Sequence, residues 1–397
     1  MPSSDAAPGL WHNVRSMPSA AWVLCGGSFV NRFGSFVLIF LVIWLTEEGY
    51  SPAQAGAAVS SYGVGALVAS LLGGYLADRI GRRNAIAVSM FSAALTMLAL
   101  SQAETFPVVV ALSMLAGLTS ELYRPASAAL LADLVPPERR LTAYALYRLA
   151  INFGFAAGAA TAGLLAERSF LLLFLVEASS SAAFGIAALL FLPEGLRSHR
   201  TGERPGELVR AIRADRPFQL FLVASLLAAF VYFQPQGALP LHVIDQGLSF
   251  ATFGALMSLN GLIIVLLELP MTMITGRHAR QPVIAVGFLL VGLGFALTAW
   301  ATTVPLLALT VVIWTLGEIA NAPVSQAYVA DLAPVHLRGR YQGAEGGAVG
   351  LALIIGPVVG TAAYAVDPTA FWLSCGALGA IAALLVLGVP PRRRRAT

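Results

Sequence analysis

The sequence predicts an all-α membrane protein with twelve transmembrane helices in two pseudo-symmetric six-helix halves. Three observations lead to this prediction: the composition, a series of long apolar runs, and a repeat at half the chain length. Of the 397 residues, 58% are hydrophobic and 11% are charged, whereas an ordinary soluble domain is about 25% charged. A soluble protein of this size would have too few charged residues to cover its surface.

Twelve apolar runs are long enough to cross a bilayer, which takes about 20 residues in a helix. We number them spans 1 to 12: 20–46, 52–77, 84–103, 106–131, 141–166, 169–192, 217–243, 250–275, 282–301, 304–330, 340–365 and 368–389. The predicted organisation is an N-terminal tail (1–19), a first half (20–192), a polar linker (193–216), a second half (217–389) and a basic tail (390–397).

The arginines indicate the orientation, and all 24 basic residues are arginines. They precede span 1, follow spans 2, 4, 8 and 10, occupy the linker and close the chain: Arg15; Arg79, Arg82 and Arg83; Arg139 and Arg140; Arg197 to Arg216; Arg277 and Arg280; Arg338 and Arg340; Arg392 to Arg395. The connections on the other side are acidic, with Arg168 as the one basic exception. Because short basic loops stay in the cytoplasm, both termini are predicted to be cytoplasmic.

A shift of 198 residues aligns the two halves. The matched positions include residues that apolar helices do not share by chance, such as Asp, Pro and Arg: Gly56 with Gly254, Gly63 with Gly261, Pro125 with Pro323, Ser127 with Ser325, Asp133 with Asp331, and Arg140 with Arg338. Two six-helix repeats of this kind are associated with transporters whose substrate site lies between the repeats.

The loop after span 2 reads Gly74-Tyr-Leu-Ala-Asp78-Arg79-Ile-Gly81-Arg82-Arg83. It resembles the loop between the second and third helices of the major facilitator superfamily. The resemblance implies a cytoplasmic gate motif that stabilises the outward-facing state, with Asp78 facing the start of span 11 and Arg82 paired with Asp133. The equivalent loop of the second half, 272–280, contains no acidic residue, so we expect this gate to be asymmetric.

Span 5 keeps the glycines of the antiporter motif of that family, Gly154, Gly158 and Gly163, but lacks its proline. Small residues four apart also allow close helix packing, so the motif leaves both interpretations open.

A few ionisable residues lie at membrane depth, where a charged side chain costs about 2.5–3.5 kcal/mol on insertion scales. Lysine is absent and arginine does not release its proton, so proton coupling would fall to Glu121 or Glu318. Arg32, Arg124, Arg148, Asn152 and Asn321 are candidates for lining a substrate cavity. Glu121 and Arg124 are three residues apart and share a helix face. The competing interpretation is that these charges form structural ion pairs. Glu177, Glu268 and Glu345 lie nearer the span ends.

These features favour a prokaryotic inner-membrane secondary transporter that exchanges a small lipophilic molecule for protons, resembling the drug-exporter branch of the superfamily. The alternative is an importer or facilitator of a small metabolite or organic anion, which cavity arginines would suit. A membrane-embedded enzyme is a third class, but no Ser-His or metal-ligand arrangement lies at membrane depth. The expected partners are the substrate, protons and the lipid bilayer. We expect a monomer without nucleic acid, metal or cofactor, and the two cysteines, Cys25 and Cys375, imply no disulfide framework.

Overall fold

A computed structural model describes residues 15–136, 139–195, 207–334 and 337–389, and these residues form α-helices with no β-strand among them. The first fourteen residues, part of the predicted linker (196–206) and the basic tail (390–397) lie outside the described residues. The helices are Ser19–Gly34 and Val37–Glu47 (span 1), Pro52–Ile80 (span 2), Arg82–Leu100 (span 3), Phe106–Glu121 and Tyr123–Leu134 (span 4), Arg140–Arg168 (span 5), Phe170–Phe191 (span 6), Glu207–Ala214 (linker), Arg216–Tyr232 and Ala238–Asp245 (span 7), Phe250–Thr275 (span 8), Arg280–Leu297 (span 9), Val304–Leu332 (span 10), Arg338–Val366 (span 11) and Pro368–Leu387 (span 12).

Within the described residues, eleven helical segments are long and apolar enough to cross a membrane. The twelfth is span 7, where the 17-residue helix Arg216–Tyr232 continues through a 3₁₀ turn at Gln234–Gln236 into Ala238–Asp245. The predicted all-α architecture of twelve spans in two halves is therefore confirmed.

The repeat extends to the signals that start the helices. Ser51 caps span 2, its hydroxyl accepting from the Gln54 N–H, and Ser249 caps span 8 in the same way. Both caps follow a glycine with positive φ, Gly49 at +89° and Gly247 at +70°. Side chains of this type accept the N–H groups that the first helical turn leaves unpaired, so equivalent residues begin equivalent spans.

Three spans contain interruptions. Span 4 breaks at Leu122, near Pro125, which cannot donate to the Glu121 carbonyl four residues earlier. Proline alone does not determine the break, because the equivalent Pro323 lies inside the continuous helix of span 10. Spans 1 and 7 break at equivalent positions, since Phe36 in the first break corresponds to Gln234 in the second after the 198-residue shift.

Helix packing follows the repeat as well. In the first half span 1 packs against spans 5 and 6, span 2 against span 4, and span 3 against spans 4 and 6; in the second half the same relations join spans 7, 11 and 12, spans 8 and 10, and spans 9, 10 and 12. The halves meet mainly through two equivalent contacts, span 2 with span 11 and span 5 with span 8, and the second helix of span 1 adds a contact with span 7.

We call the membrane face that carries Arg79, Arg82 and Arg83 the arginine-rich face, and the other the opposite face. Near the opposite face the halves are in close contact, because a Cβ added at Gly56 would meet Thr361 and Pro357, and one added at Gly254 would meet Ala159 and Gly163. Near the arginine-rich face, Gly74 of span 2 and Gly339, Gly343 and Gly346 of span 11 have no such neighbour within 4 Å. The halves are therefore closed together at the opposite face and separated at the arginine-rich face.

Candidate functional site

A cavity of about 350 Å³ lies on the inner side of the second half, between spans 7, 9, 10 and 11. Its polar lining combines acidic, amide and hydroxyl groups, while aliphatic and aromatic side chains form the remainder: Ser225, Tyr232, Glu318, Asn321, Ser325, Gln326 and Glu345, with Ala228, Ala229, Phe288, Val291, Ala322, Gly346 and Val349. This volume lies within the range of small-molecule pockets, about 300–1,000 Å³.

Glu318 is the central acid of this cavity. The Tyr232 hydroxyl donates to Glu318 Oε1 at 2.9 Å, and Asn260 Nδ2 donates to Oε2 at 3.1 Å. Asn260 also donates to Thr315 Oγ1 at 3.0 Å. Tyr232 is the last residue before the break in span 7. None of the ion pairs in the described part of the chain involves Glu318, so its carboxylate is held by neutral donors alone.

Glu121, unlike Glu318, has a charged partner. Arg124 Nε lies 2.8 Å from Glu121 Oε2, as the three-residue spacing predicts, and the Tyr62 hydroxyl lies 3.4 Å from Oε1. Tyr62 and Asn260 occupy equivalent positions in spans 2 and 8. Both halves thus use the same position to contact an acid on span 4 or span 10, but only the first half adds an arginine.

Arg148 and Asn152 of span 5 both contact Glu268 of span 8. Arg148 forms an ion pair with Glu268, and Asn152 Nδ2 lies 3.4 Å from its second carboxylate oxygen. These contacts join the two halves on the arginine-rich side of the Gly261–Ala156 contact. Arg148 and Asn152 were predicted as candidates for lining a substrate cavity; in the structure both contact Glu268, a partner that the sequence did not indicate.

Arg32 and Asn321 complete the predicted cavity residues. Asn321 lines the cavity and accepts from the Ser325 hydroxyl at 2.5 Å. Arg32 is half-buried in the last turn before the break in span 1, and no ion pair of the described residues includes it.

The gate motif is partly assembled. Gly81 separates spans 2 and 3 with φ +90° and ψ 149°, a conformation that favours glycine. Arg82 pairs with Asp133, as the resemblance implied, and donates to the Ala129 carbonyl at 2.7 Å. Arg79 donates to the Tyr75 hydroxyl at 3.3 Å. The end of span 2 near Asp78 and the start of span 11 are apart, because Gly74 and Gly339 face open space.

The second half repeats more of this gate than its sequence suggested. Arg280 pairs with Asp331 and donates to the Ala327 carbonyl, which are the positions of Arg82, Asp133 and Ala129 shifted by 198. Gly276 takes the position of Asp78. The expected asymmetry is therefore confined to the acid: the Arg–Asp pair occurs in both halves.

Two polar groups that the sequence analysis left without a role have specific contacts. Glu177 of span 6 is 4% exposed and accepts from the Val37 N–H at 2.9 Å. His242 of span 7 is buried; its Nε2 lies 3.1 Å from the Ala301 carbonyl, and Trp372 Nε1 donates to its Nδ1 at 3.2 Å. Glu177 could have been singled out from the sequence because it is an ionisable residue within a predicted span. Nothing in the local sequence indicates that its partner is the Val37 N–H.

Two repeated six-helix halves of membrane-spanning helices, with a polar cavity of small-molecule size in the second half, have the architecture of a membrane transporter. The family model described as Major Facilitator Superfamily matches residues 24–267 and 237–397, and this chain belongs to that superfamily.

Individual transporters are also similar to this chain over most of its length. The chain is 28% identical over 361 residues to an uncharacterised MFS-type transporter, YqjV, of Bacillus subtilis, covering 88% of this chain and 87% of the relative. It is 28% identical over 352 residues to a Na(+), Li(+), K(+)/H(+) antiporter of Planococcus maritimus, covering 80% and 83%, and 25% identical over 376 residues to the multidrug resistance protein MdtH of Aeromonas salmonicida, covering 92% and 94%. The nucleoside transporter NupG has the same fold, with a TM-score of 0.81, 17% identity and coverage of 94% and 99%.

Proposed function

We propose that this chain is a proton-coupled antiporter that moves a small lipophilic molecule across a prokaryotic inner membrane by alternating access. The arginine-rich face is then cytoplasmic, in accord with the positive-inside rule, and the structure is the inward-open state. The observation that carries the proposal is Glu318, a cavity acid at membrane depth without a cationic partner in the described chain. Relatives named as a cation/proton antiporter and as a multidrug resistance protein support it.

Glu318 is a better proton carrier than Glu121. Protonating Glu121 would leave the Arg124 guanidinium without its counter-ion at 2.8 Å, and leaving one member of an ion pair unpaired is costly. Protonating Glu318 separates no ion pair, and the group can exchange its proton with water in the cavity. We therefore assign proton transfer to Glu318 and a structural or gating role to the Glu121–Arg124 pair.

The lining also favours a lipophilic molecule over an anion. Arg124 and Arg148, two of the three arginines that would suit an anion, are neutralised by Glu121 and Glu268. On the second half, Glu318 and Glu345 give the cavity a negative character beside the apolar surfaces of Phe288 and Val291. Arg32, the third of these arginines, is not among the residues that line the cavity.

Reconstituted proteoliposomes test the proposal. A pH gradient imposed across the membrane should drive accumulation of a lipophilic dye such as ethidium, and Glu318→Gln should reduce this gradient-driven flux at least about tenfold, because general proton transfer by a positioned group is worth 10²–10⁴-fold in other systems. Glu121→Gln should keep gradient-dependent flux. Glu48→Gln, which removes an exposed acid, is the control.

Three results would contradict separate parts of the proposal. Wild-type flux that is unchanged when the gradient is collapsed would exclude proton coupling. Gradient-driven flux that survives in Glu318→Gln but is lost in Glu121→Gln would move the proton site to span 4. Stimulation of transport or of thermal stability by organic anions, and not by lipophilic dyes, would favour the metabolite importer.

A further inference from the structure

Span 1 is interrupted just before a short helix that helps to close the opposite face. Its first helix ends at Gly34 and its second, Val37–Glu47, begins three residues later. The Val37 N–H at the start of the second helix donates to Glu177 Oε2 at 2.9 Å. A carboxylate from span 6, 140 residues away in sequence, therefore caps a helix in span 1.

The capped helix lies at the centre of the closed face. Eight of its eleven residues are buried, and it packs across the boundary between the halves against the Gln234–Gln236 turn and the Ala238–Asp245 helix of span 7. Phe40 also makes an edge contact with Phe253 of span 8, with ring centroids 5.3 Å apart. Opening the opposite face must move this helix relative to span 7. Where the helix makes that movement by bending at the Gly34–Val37 break, it also moves relative to span 6, and the Glu177–Val37 bond then resists opening.

The strength of that bond depends on the charge of Glu177. An ionised carboxylate makes a charge-assisted hydrogen bond and also interacts favourably with the positive end of the helix dipole; a protonated one keeps at most a neutral hydrogen bond. The charged and titratable groups that face Glu177 are Arg32 on span 1, Glu121 on span 4 and Tyr62 on span 2. Glu121 already has Arg124 as its ion-pair partner, whereas no ion pair of the described residues includes Glu177.

We propose that Glu177 is a second proton-binding site, separate from Glu318, that controls the opening of the opposite face. Ionised Glu177 holds the Val37–Glu47 helix in the closed arrangement. Protonation weakens the cap, frees the helix at the Gly34–Val37 break and favours the state open to the opposite face. The proposal concerns conformation alone and holds whatever the substrate or the coupling at Glu318.

Electron–electron distance measurements on the full chain test this. Spin labels at Glu104→Cys and Thr302→Cys occupy exposed, repeat-equivalent positions in the opposite-face loops of the two halves, and the native Cys25 and Cys375 are buried. In Glu177→Gln, which keeps an acceptor but carries no charge, the long-distance population at pH 8 should rise about tenfold, the difference expected between a charged and a neutral hydrogen bond. Ser181→Ala is the matched control: it removes the neutral Asn31–Ser181 bond between the same two spans and should leave the distances unchanged.

A second measurement uses the unmodified protein, in case Glu177→Gln does not fold. Hydrogen exchange in the segment 34–41, corrected for the intrinsic pH dependence of exchange, should accelerate as the pH is lowered from 8 to 5. The wild-type long-distance population should rise over the same range, and this rise should persist in Glu318→Gln. Equal populations for wild type and Glu177→Gln at pH 8, or a pH response that Glu177→Gln retains in full and Glu318→Gln abolishes, would overturn the proposal.

Discussion

Arg82 and Arg280 occupy equivalent positions in the repeat, but their ion pairs differ in exposure to water and therefore in their expected contribution to stability. Each pairs with an aspartate at the end of span 4 or span 10 and donates to a carbonyl four residues before that aspartate. The side chains of Arg82 and Asp133 are 11% and 17% exposed, whereas those of Arg280 and Asp331 are 39% and 59% exposed. Because water screens exposed ion pairs, only the first pair is expected to contribute strongly to stability.

Alanine substitutions measure this difference. Arg82→Ala removes the guanidinium that pairs with the largely buried Asp133 and should destabilise the protein by about 3 kcal/mol. Arg280→Ala should cost about 1 kcal/mol or less. Thermal unfolding of the purified variants in one detergent gives the comparison. Equal losses of stability would show that burial does not govern these two pairs.

Other residue contacts were predictable only where sequence spacing determines them. Glu121 and Arg124 meet because residues three apart share a helix face. The Arg148–Glu268 pair and the Glu177–Val37 bond join residues 120 and 140 positions apart, and no local pattern specifies which spans face each other. The sequence therefore identifies the charged residues at membrane depth but not their partners. The partner is what distinguishes a carboxylate in a structural ion pair from one that can carry a proton.

At the scale of elements, the connection between spans 2 and 3 depends on one glycine. Gly81 has φ +90° and ψ 149°, and it is the single residue between the end of span 2 at Ile80 and the start of span 3 at Arg82. This turn brings Arg82 to Asp133 and lets the Arg82 N–H donate to the Glu194 carbonyl at 3.1 Å. A side chain at this position is strained whatever the surrounding space.

Gly81→Ala should therefore destabilise the protein by about 1–3 kcal/mol, the cost of a strained backbone conformation. Gly74, seven residues earlier in the interior of span 2, has no neighbour within 4 Å of an added Cβ, and Gly74→Ala should be neutral or stabilising by about 0.5–1 kcal/mol. Thermal unfolding of both variants provides the measurement. A Gly81→Ala protein as stable as Gly74→Ala would show that the turn has an alternative conformation.

Apolar runs predict that a segment crosses the membrane, but not that it does so as one helix. Pro125 accompanies the break in span 4, but the equivalent Pro323 lies inside the continuous helix of span 10, so the proline alone does not predict a break. The break in span 1 contains no proline and is stabilised by Glu177 from another span, so tertiary contacts determine it. The break in span 7 follows from the same repeat and includes Pro235 within its 3₁₀ turn.

At the scale of the whole molecule, the repeat predicts the pair of contacts that join the halves, because span 2 with span 11 and span 8 with span 5 are equivalent relations. It does not predict which face is open. Both faces use small residues at equivalent positions, and a sequence with two such faces is compatible with closure at either one. The structure resolves this through its glycines: those near the opposite face are in contact across the halves, and those near the arginine-rich face are not.

This difference yields a test of the conformational equilibrium. A Cβ at Gly254 would lie 2.5 Å from the Ala159 carbonyl oxygen and 2.9 Å from the Gly163 Cα, so Gly254→Ala should disfavour closure of the opposite face by about 1–3 kcal/mol, the usual cost of overpacking. Gly56→Ala, at the equivalent contact, should act in the same direction, and the two effects should add because the sites share no neighbours.

Distances between labels at Glu104→Cys and Thr302→Cys report the result. Gly254→Ala should raise the long-distance population roughly tenfold, which corresponds to about 1.4 kcal/mol. Gly343→Ala is the matched control, because an added Cβ there meets nothing within 4 Å and the closed opposite face should be retained. Gly254→Ala could instead keep the wild-type distances and lose only thermal stability. That result would show that the contact between spans 5 and 8 does not open with the rest of the face. Movement would then be confined to spans 2 and 11 and to the broken helices of spans 1 and 7.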